Sequence, residues 1–551
     1  MKPFTHFFTS SLLTLLAFST ATSQNFEWIR GAGGTSFDIA NDVTADPAGN
    51  SYATGWIKDT VMFDTIQTIS TGGQDFFLSK YDPNGNLLWV VTGGGPSGND
   101  QGYGVDVDAM GNVYVAGSFQ DTVNFSGQTL NGINLYDIFI AKYDPFGSLI
   151  WIKENGSSMD DQANDIKVAP NGSVYICGNI GGSITFGGSN LAATGVDMFL
   201  AKYTSAGAAV WGVNGGGSSA DNAYGMVLDE SNGIYVTGPF RGTATFGTSS
   251  VISSGDDDIY LVKYDTSGAF QWVQSGGSTA QDQGNFVSFY RDESQVLLTG
   301  YFSGAACIFG LTNLTGNGSS TMFTAIYDLT GALVEADAYG SSSMSQGTGF
   351  VVDAMGNKYL LGQFNGSLTI DSLTITSNNA TFGWDVLLFK FDTTGVAEWG
   401  LNAGGTGFWD TGNGLAIDGD NNVFFGGTFQ GTAYFGTDSL VGFPTADMFI
   451  AKIEGDTLPI IIRREIPYNQ DASVKSWPNP ARENLYFEIM DAQIAEGELE
   501  IFDVSGRRIL KQANSGERRF EVSLDGFQPG FYQWKYHQND VLNSGKFFLV
   551  P

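Results

Sequence analysis

The sequence predicts an all-β fold: a seven-bladed β-propeller closed by its own N-terminal strand, followed by a small C-terminal Ig-like β-sandwich. Three observations predict it. A strand–turn–strand segment, Asp137 to Gly156, returns in near-copies along the chain. Glycine (75 of 551 residues) and aromatics (14%) are abundant while charged residues are only 15%, as expected for aromatic strands joined by glycine turns. No apolar stripe of 3.6-residue period follows the leader, which argues against helices.

Taken in order, Met1 to Ser23 reads as a secretory leader. Lys2 supplies the positive start, Leu12 to Phe18 the short apolar core, and Ala21-Thr22-Ser23 the small-residue cleavage site, with cutting between Ser23 and Gln24. The apolar run is too short for a spanning helix, and no later segment reaches transmembrane length. The leader holds no Cys, which argues against a lipoprotein anchor.

Residues 24–456 carry the repeats. The outer-strand position holds Trp28, Trp89, Trp151, Trp211, Trp272, Val334 and Trp399, at steps of 60 to 65 residues. A strand of the form D-x-F-x-x-K-Y-D precedes each later one, as in Asp75 to Asp82, and recurs once more as Asp447 to Glu454. A hairpin such as Val105 to Gly117 turns at Asp108, Gly111 and Asn112, residues that tolerate positive φ or bond their own backbone. After it, a Gly is followed eight residues later by Phe or Ile, as in Gly55/Phe63 and Gly117/Phe125. Gly300/Phe309 is one residue longer, an insertion a bulge would absorb. Each copy thus supplies about four strands in roughly 60 residues, the content of a propeller blade. The last copy lacks its Trp strand, and Phe26-Glu27-Trp28-Ile29-Arg30 supplies it, so pairing the two ends removes two exposed edges.

The pattern DxxxDxxGNxYVxGxF…DxFxxKYDxxGxxxW resembles the SBBP family of bacterial repeats. The resemblance implies a seven-bladed propeller over Asn25 to about Glu454 and no defined activity.

Residues 457–475 form a connector without the repeat, and residues 476–551 a second domain of about six strands, in which Arg and Lys cluster. Its ordered signals are Pro478-Asn479-Pro480, Asn484-Leu485, Asp503 with Gly506-Arg507, Gly530 with Tyr532, and Lys546 in the final apolar run. That order is similar to the type A C-terminal sorting domain of the type IX secretion system of Bacteroidetes. It implies Sec export, outer-membrane passage by the type IX machinery as partner, and release or attachment at the cell surface.

For chemistry, composition excludes much. The balance of 25 basic and 57 acidic residues, −32, repels a phosphate backbone, so no nucleic-acid partner is expected. The only histidines are His6 and His537, so the repeats hold no Ser-His-Asp, Cys-His or His-bearing zinc site. Cys177 and Cys307 sit among apolar neighbours and read as buried free thiols. No catalytic residue and no organic cofactor are assigned.

Acidic side chains remain. Asp38, Asp100, Asp161, Asp221, Asp282 and Asp410 precede the first strand of six copies, with Ser345 in the other, and a ring would bring them to one rim. One reading is Ca²⁺ binding; the favoured one is that each accepts backbone N–H bonds between blades, since calcium needs several converging oxygens. The repeated Lys80, Lys142, Lys202, Lys263, Lys390 and Lys452 read as scaffold, because a single site would not recur in every copy. If the repeats carry one site, it belongs where the pattern breaks (Thr321 for Asp, Ile326 for Lys, Val334 for Trp, Ser345 for Asp); the favoured reading of the break is sequence drift, since loops rather than frameworks carry function. The unpatterned aromatics Trp56, Trp384, Phe408 and Trp409 would stack sugars if they share a rim, and otherwise pack between blades.

The expected function is a secreted or surface-exposed non-catalytic binding protein for an extracellular glycan or protein. The alternatives are a carbohydrate-active enzyme using propeller carboxylates, and a structural envelope component.

Overall fold

A computed structural model describes residues 26–229, 233–290, 293–378, 383–455, 474–477, 481–482, 484–489, 497–503, 507–528, 530–538 and 541–549. The leader with Ser23 and Gln24, most of the connector, Pro478, Asn479, Pro480 and Gly506 lie outside them. The chain divides into two compact units, Met1–Thr457 and Leu458–Pro551. Among the described residues every regular element is a strand, and the sheets are antiparallel.

Each repeat in the first unit follows one plan. In the first, Ile39–Ala45 pairs with Ser51–Phe63, which pairs with Ile66–Tyr81, which pairs with Leu87–Gly94. Apolar residues of consecutive repeats meet in shared clusters, so the core lies in the seams: Tyr114 and Ile138 of one repeat pack with Ile166, Ile176 and Phe199 of the next. Each such side chain contributes about 1.5–3 kcal/mol by leaving water.

The second strand of a repeat bends or breaks midway, and at five seams its outer part pairs with the neighbouring repeat, while Ser183–Phe186 and Ser367–Ile370 form separate two-stranded sheets. Asp59 and Asp121 sit at this bend with φ of 62° and 60°, in the left-handed region where Asp is tolerated, and Gly242 and Gly431 serve other copies. Beyond it the Phe of the Gly…Phe spacing pairs with the outer strand of the preceding repeat, as Gly93↔Phe125, Gly215↔Phe246 and Gly276↔Phe309. The extra residue of the Gly300/Phe309 copy is not a bulge in the ladder; it falls in the connection between Phe302 and Ala306.

The two ends of the unit meet. Phe26–Gly34 pairs antiparallel with Asp438–Ile453, in the register Trp28↔Lys452, Ile29↔Ala451 and Arg30↔Ile450. Along the innermost strands, side chains bond from repeat to repeat: Asn41 Nδ2 to Gly102 O (2.8 Å), Asn164 Nδ2 to Ala223 O (2.9 Å), Asn285 Nδ2 to Gly347 O (2.7 Å) and Thr348 Oγ1 to Gly412 O (2.6 Å). Asn413 Nδ2 then donates to Ala40 O (2.8 Å), returning to the first repeat.

The second unit has a three-stranded sheet of Val474–Trp477, Asn484–Ile489 and Arg519–Ser523, and a four-stranded one of Arg508–Asn514, Gly497–Asp503, Gly530–Gln538 and Val541–Leu549. Leu485, Phe487, Leu499, Ile501, Trp534 and Phe547 form their common core. Of the sorting signals, Leu485 is core, Asp503 accepts the Arg507 N–H (3.0 Å) across its turn, and the Tyr532 hydroxyl donates to Gln528 O (2.7 Å). Asn484 opens its strand, Gly530 begins another, and Lys546 lies in the last.

Candidate functional site

The repeated polar residues are consumed by the framework. In the D-x-x-G-N-x-Y turn, Asp46 accepts the N–H groups of Ala48 (2.9 Å) and Asn50 (3.0 Å), the Asn50 amide (2.7 Å) and the Tyr52 hydroxyl (2.9 Å). Asp108 and Asp353 repeat the arrangement. The strand lysines lie over those tyrosines, Lys80 over Tyr52 at 5.1 Å and Lys142 over Tyr114 at 4.7 Å. Lys80 Nζ and Trp89 Nε1 both donate to Pro145 O of the next repeat (3.3 and 3.1 Å), as Lys263 and Trp272 do to Leu329 O (3.3 and 3.2 Å).

The six aspartates of the proposed ring are fully buried, not an exposed rim of charge. Five of them accept two backbone N–H groups across a seam, and Asp38 accepts one. Asp100 takes those of Gly95 (2.9 Å) and Gln120 (3.1 Å), Asp221 those of Gly217 (2.7 Å) and Arg241 (3.0 Å), and Asp410 those of Gly405 (2.8 Å) and Gln430 (2.7 Å). Asp161 and Asp282 bind the Ser157/Gly181 and Ser278/Ser303 pairs, and Asp38 binds Lys58 (2.8 Å).

Five of them feel the charge of an aspartate that opens a D-x-F-x-x-K-Y-D strand: Asp38 with Asp447, Asp100 with Asp75, Asp161 with Asp137, Asp221 with Asp197 and Asp282 with Asp258. Burial, then the neighbouring carboxylates, pushes Asp38 up to about 8 and Asp100 to about 7 against their backbone bonds; Asp221 and Asp258 rise to about 6.

The residues that precede these pairs in sequence are bridged to one another, and here the repeats differ. Asp100 N–H donates to Gln74 O (2.6 Å), Asp221 N–H to Val196 O (2.7 Å) and Asp410 N–H to Trp384 O (3.2 Å). These bonds draw together Gln74 with Asn99, Val196 with Ala220, Ser320 with Met344, and Trp384 with Trp409 as short parallel bridges. At the last of them Trp409 is 54% exposed and the adjoining Phe408 55%, while Trp384 is half-buried. The Phe408 N–H donates to Gln430 Oε1 (2.7 Å). Of the four unpatterned aromatics, only Trp56 is buried core.

The break in the pattern forms a second feature. Without a Lys at Ile326 and a Trp opposite it, a small cleft opens, lined by Ile326, Glu335, Asp337, Tyr339, Lys358 and Gly395. Lys358, at a position held by Val113 and Val423 in other repeats, brings a cation back to the seam, 3.8 Å from Glu335 and 5.8 Å from the centre of the Tyr290 ring. Burial and then the Glu335 charge raise the Asp337 pKa. Lys358 was missed by sequence reasoning; its signal is a lone charge in an otherwise uncharged column.

Residues 475–549 match the family described as the secretion system C-terminal sorting domain. The tail therefore engages the type IX secretion machinery, and the chain is exported to the cell surface or the extracellular space. No helix among the described residues is long and apolar enough to cross a membrane. The chain is 24% identical over 473 residues to an uncharacterized WD repeat-containing protein of Acanthamoeba polyphaga mimivirus, covering 71% of this chain and 34% of that one. It is 26% identical over 188 residues to regulatory protein FlaEY of Caulobacter vibrioides, covering 32% and 19%. The chain thus spans about a third or less of these relatives. Among solved structures, a puromycin hydrolase mutant is similar at TM-score 0.40 and 12% identity, over 82% of this chain and 58% of that one.

Proposed function

We propose that the chain is an exported, non-catalytic binding protein that recognises a glycan through one rim of a seven-bladed, SBBP-type β-propeller. In this reading the leader 1–23 is removed at Ser23/Gln24, residues 24–456 are the propeller, 457–475 a linker, and 476–551 an Ig-like sorting domain. The plan shared by every repeat and the pairing of Phe26–Gly34 with Asp438–Ile453 support the propeller.

One observation carries the binding assignment. The buried carboxylates recur in six repeats, while the residues bridged beside them change from repeat to repeat and reach exposed aromatics at Phe408 and Trp409, next to half-buried Trp384. Exposed aromatic faces suit a sugar ring, which offers an apolar face and hydroxyl edges. The net charge of −32 favours an uncharged glycan over an anionic one. The mature protein should bind saturably on an array of uncharged glycans, and Trp409→Ala should abolish that binding with unchanged thermal stability. Binding that survives Trp409→Ala, or a protein-only ligand, would refute the glycan site; no saturable ligand would favour a structural envelope role.

The carbohydrate-active enzyme reading would rest on Glu335 and Asp337. Both lie on the strand Leu333–Tyr339 and line the small cleft at the broken seam. Polysaccharide cleavage lost in Asp337→Asn would establish it.

A further inference from the structure

The structure assigns to the broken seam a binding site for a cationic indole, with the ring and charge of tryptamine, seated on the turn 392–395 with its ammonium at Glu335 and Asp337.

The intact seams show what such a turn receives. A Tyr, a Lys and a Trp of one repeat stack together: Tyr52 with Trp89 (centroids 6.4 Å apart) and Lys80, Tyr235 with Trp272 (5.8 Å) and Lys263. The indole lies on the glycine of the next turn and donates to the carbonyl two residues before it, as Trp89 to Pro145 O (3.1 Å), Trp211 to Thr266 O (3.2 Å) and Trp272 to Leu329 O (3.2 Å). Lys80, Lys202 and Lys263 bond the same carbonyls (3.3, 3.4 and 3.3 Å).

In the fifth repeat this stack is lost as a unit. Leu297 stands for the Tyr and Ile326 for the Lys. The register Ile326↔Glu335, against Lys80↔Trp89, puts Glu335 rather than its neighbour Val334 at the indole position. None of the three offers an aromatic face or a side-chain N–H.

The receiving half is nonetheless complete. Gly395 N–H donates to Asp392 O (3.0 Å) with φ of 86°, as Gly147 N–H does to Asp144 O (3.0 Å) with φ of 84°. A Cβ on Gly147, Gly268 or Gly331 would stand 3.0, 3.1 or 2.9 Å from an indole carbon, whereas one on Gly395 would meet nothing within 4 Å. Thr393 O holds the place of the accepting carbonyls and receives neither the indole nor the strand lysine. An indole laid on this turn regains the contact and the N–H bond made at the other seams.

Charge fixes the rest of the ligand. Gly395 lines the same cleft as Glu335, Asp337 and Lys358. The Asp371 charge also acts on Asp337, so three carboxylates face one lysine, and Lys358 is engaged 3.8 Å from Glu335. An ammonium on a short arm from the ring supplies the cation that Ile326 does not, and the net charge of −32 attracts it. An aliphatic amine has no face for the turn, and an indole carboxylate is repelled.

The test is calorimetric titration of the intact mature protein with tryptamine at about 0.15 M salt. One saturable site is expected, about tenfold tighter than for indole-3-propionate and absent for butylamine. Glu335→Trp, which fills the site with the chain's own indole, should abolish binding. Glu335→Gln, which keeps the shape and removes a charge, should weaken it about three- to fivefold and serves should the first variant fail to fold. No saturable site up to about 5 mM tryptamine would overturn the proposal. So would binding that survives Glu335→Trp in a folded protein, binding unchanged in Glu335→Gln, or butylamine or indole-3-propionate binding as well as tryptamine.

Discussion

Trp28 and Lys452 face one another across two antiparallel strands drawn from opposite ends of the repeats, and both donate to one acceptor, the carbonyl oxygen of Pro83 (2.9 and 3.3 Å). The same indole–ammonium grip joins Trp89 and Lys80 to Pro145 O, where both residues come from one continuous repeat. The junction between the two ends is therefore built like an internal seam.

Trp28→Ala removes this grip and empties a site against Tyr81 and Phe424. We expect a loss of about 3–5 kcal/mol in urea unfolding. Trp151, whose indole bond to Ser205 O is exposed, should cost less on the same change.

The broken seam should be improvable. A Cβ on Gly395 would meet nothing within 4 Å, whereas Gly85, Gly147 and Gly207 underlie Trp28, Trp89 and Trp151. Glu335→Trp should fill this space and stabilise the protein by about 1 kcal/mol, read as a raised urea midpoint.

The third repeat has Ala169 where the turn carboxylate belongs, and there the Tyr175 hydroxyl is buried without a partner. Ala169→Asp should give that hydroxyl an acceptor and add about 1 kcal/mol. Asp353→Ala, which strands four donors, should cost about 3 kcal/mol.

Stability should also fall with rising pH at the inner strands. Burial pushes Asp42 up to about 7 and Asp106 to about 6; the Lys167 charge opposes this and the Asp165 charge adds to it. A carboxyl with a higher pKa folded than unfolded takes up protons on folding. Its contribution is complete below the unfolded value, about 4, and is lost as pH rises through 6 to 7. Lys167, 2.6 Å from Asp165, offsets these charges, and its side chain keeps 27% of its exposure. Lys167→Met should therefore cost about 2 kcal/mol at pH 8 and less at pH 5, measured by urea titration at both.

Period and spacing made the ladders legible, because alternating strands and Gly-Asn turns are local signals. The pairing of Phe26–Gly34 was legible because one strand was missing at one end and spare at the other. What could not be read was the partnership of Asp75 with Asp100 or Asp447 with Asp38: each partner lies on a different strand, so only the fold brings the carboxylates together. The same holds for Trp384 and Trp409, joined by a backbone bridge that no sequence pattern marks, and for Lys358, whose role depends on a Trp absent from another repeat.

The central claim, that the first strand completes the last repeat, is most directly tested by hydrogen–deuterium exchange of residues 26–34 in the mature protein. The account predicts protection equal to that of the equivalent internal strand, residues 209–216, lost only on global unfolding. Exchange of 26–34 at the rate of free chain, while 447–453 and 209–216 stay protected, would contradict it.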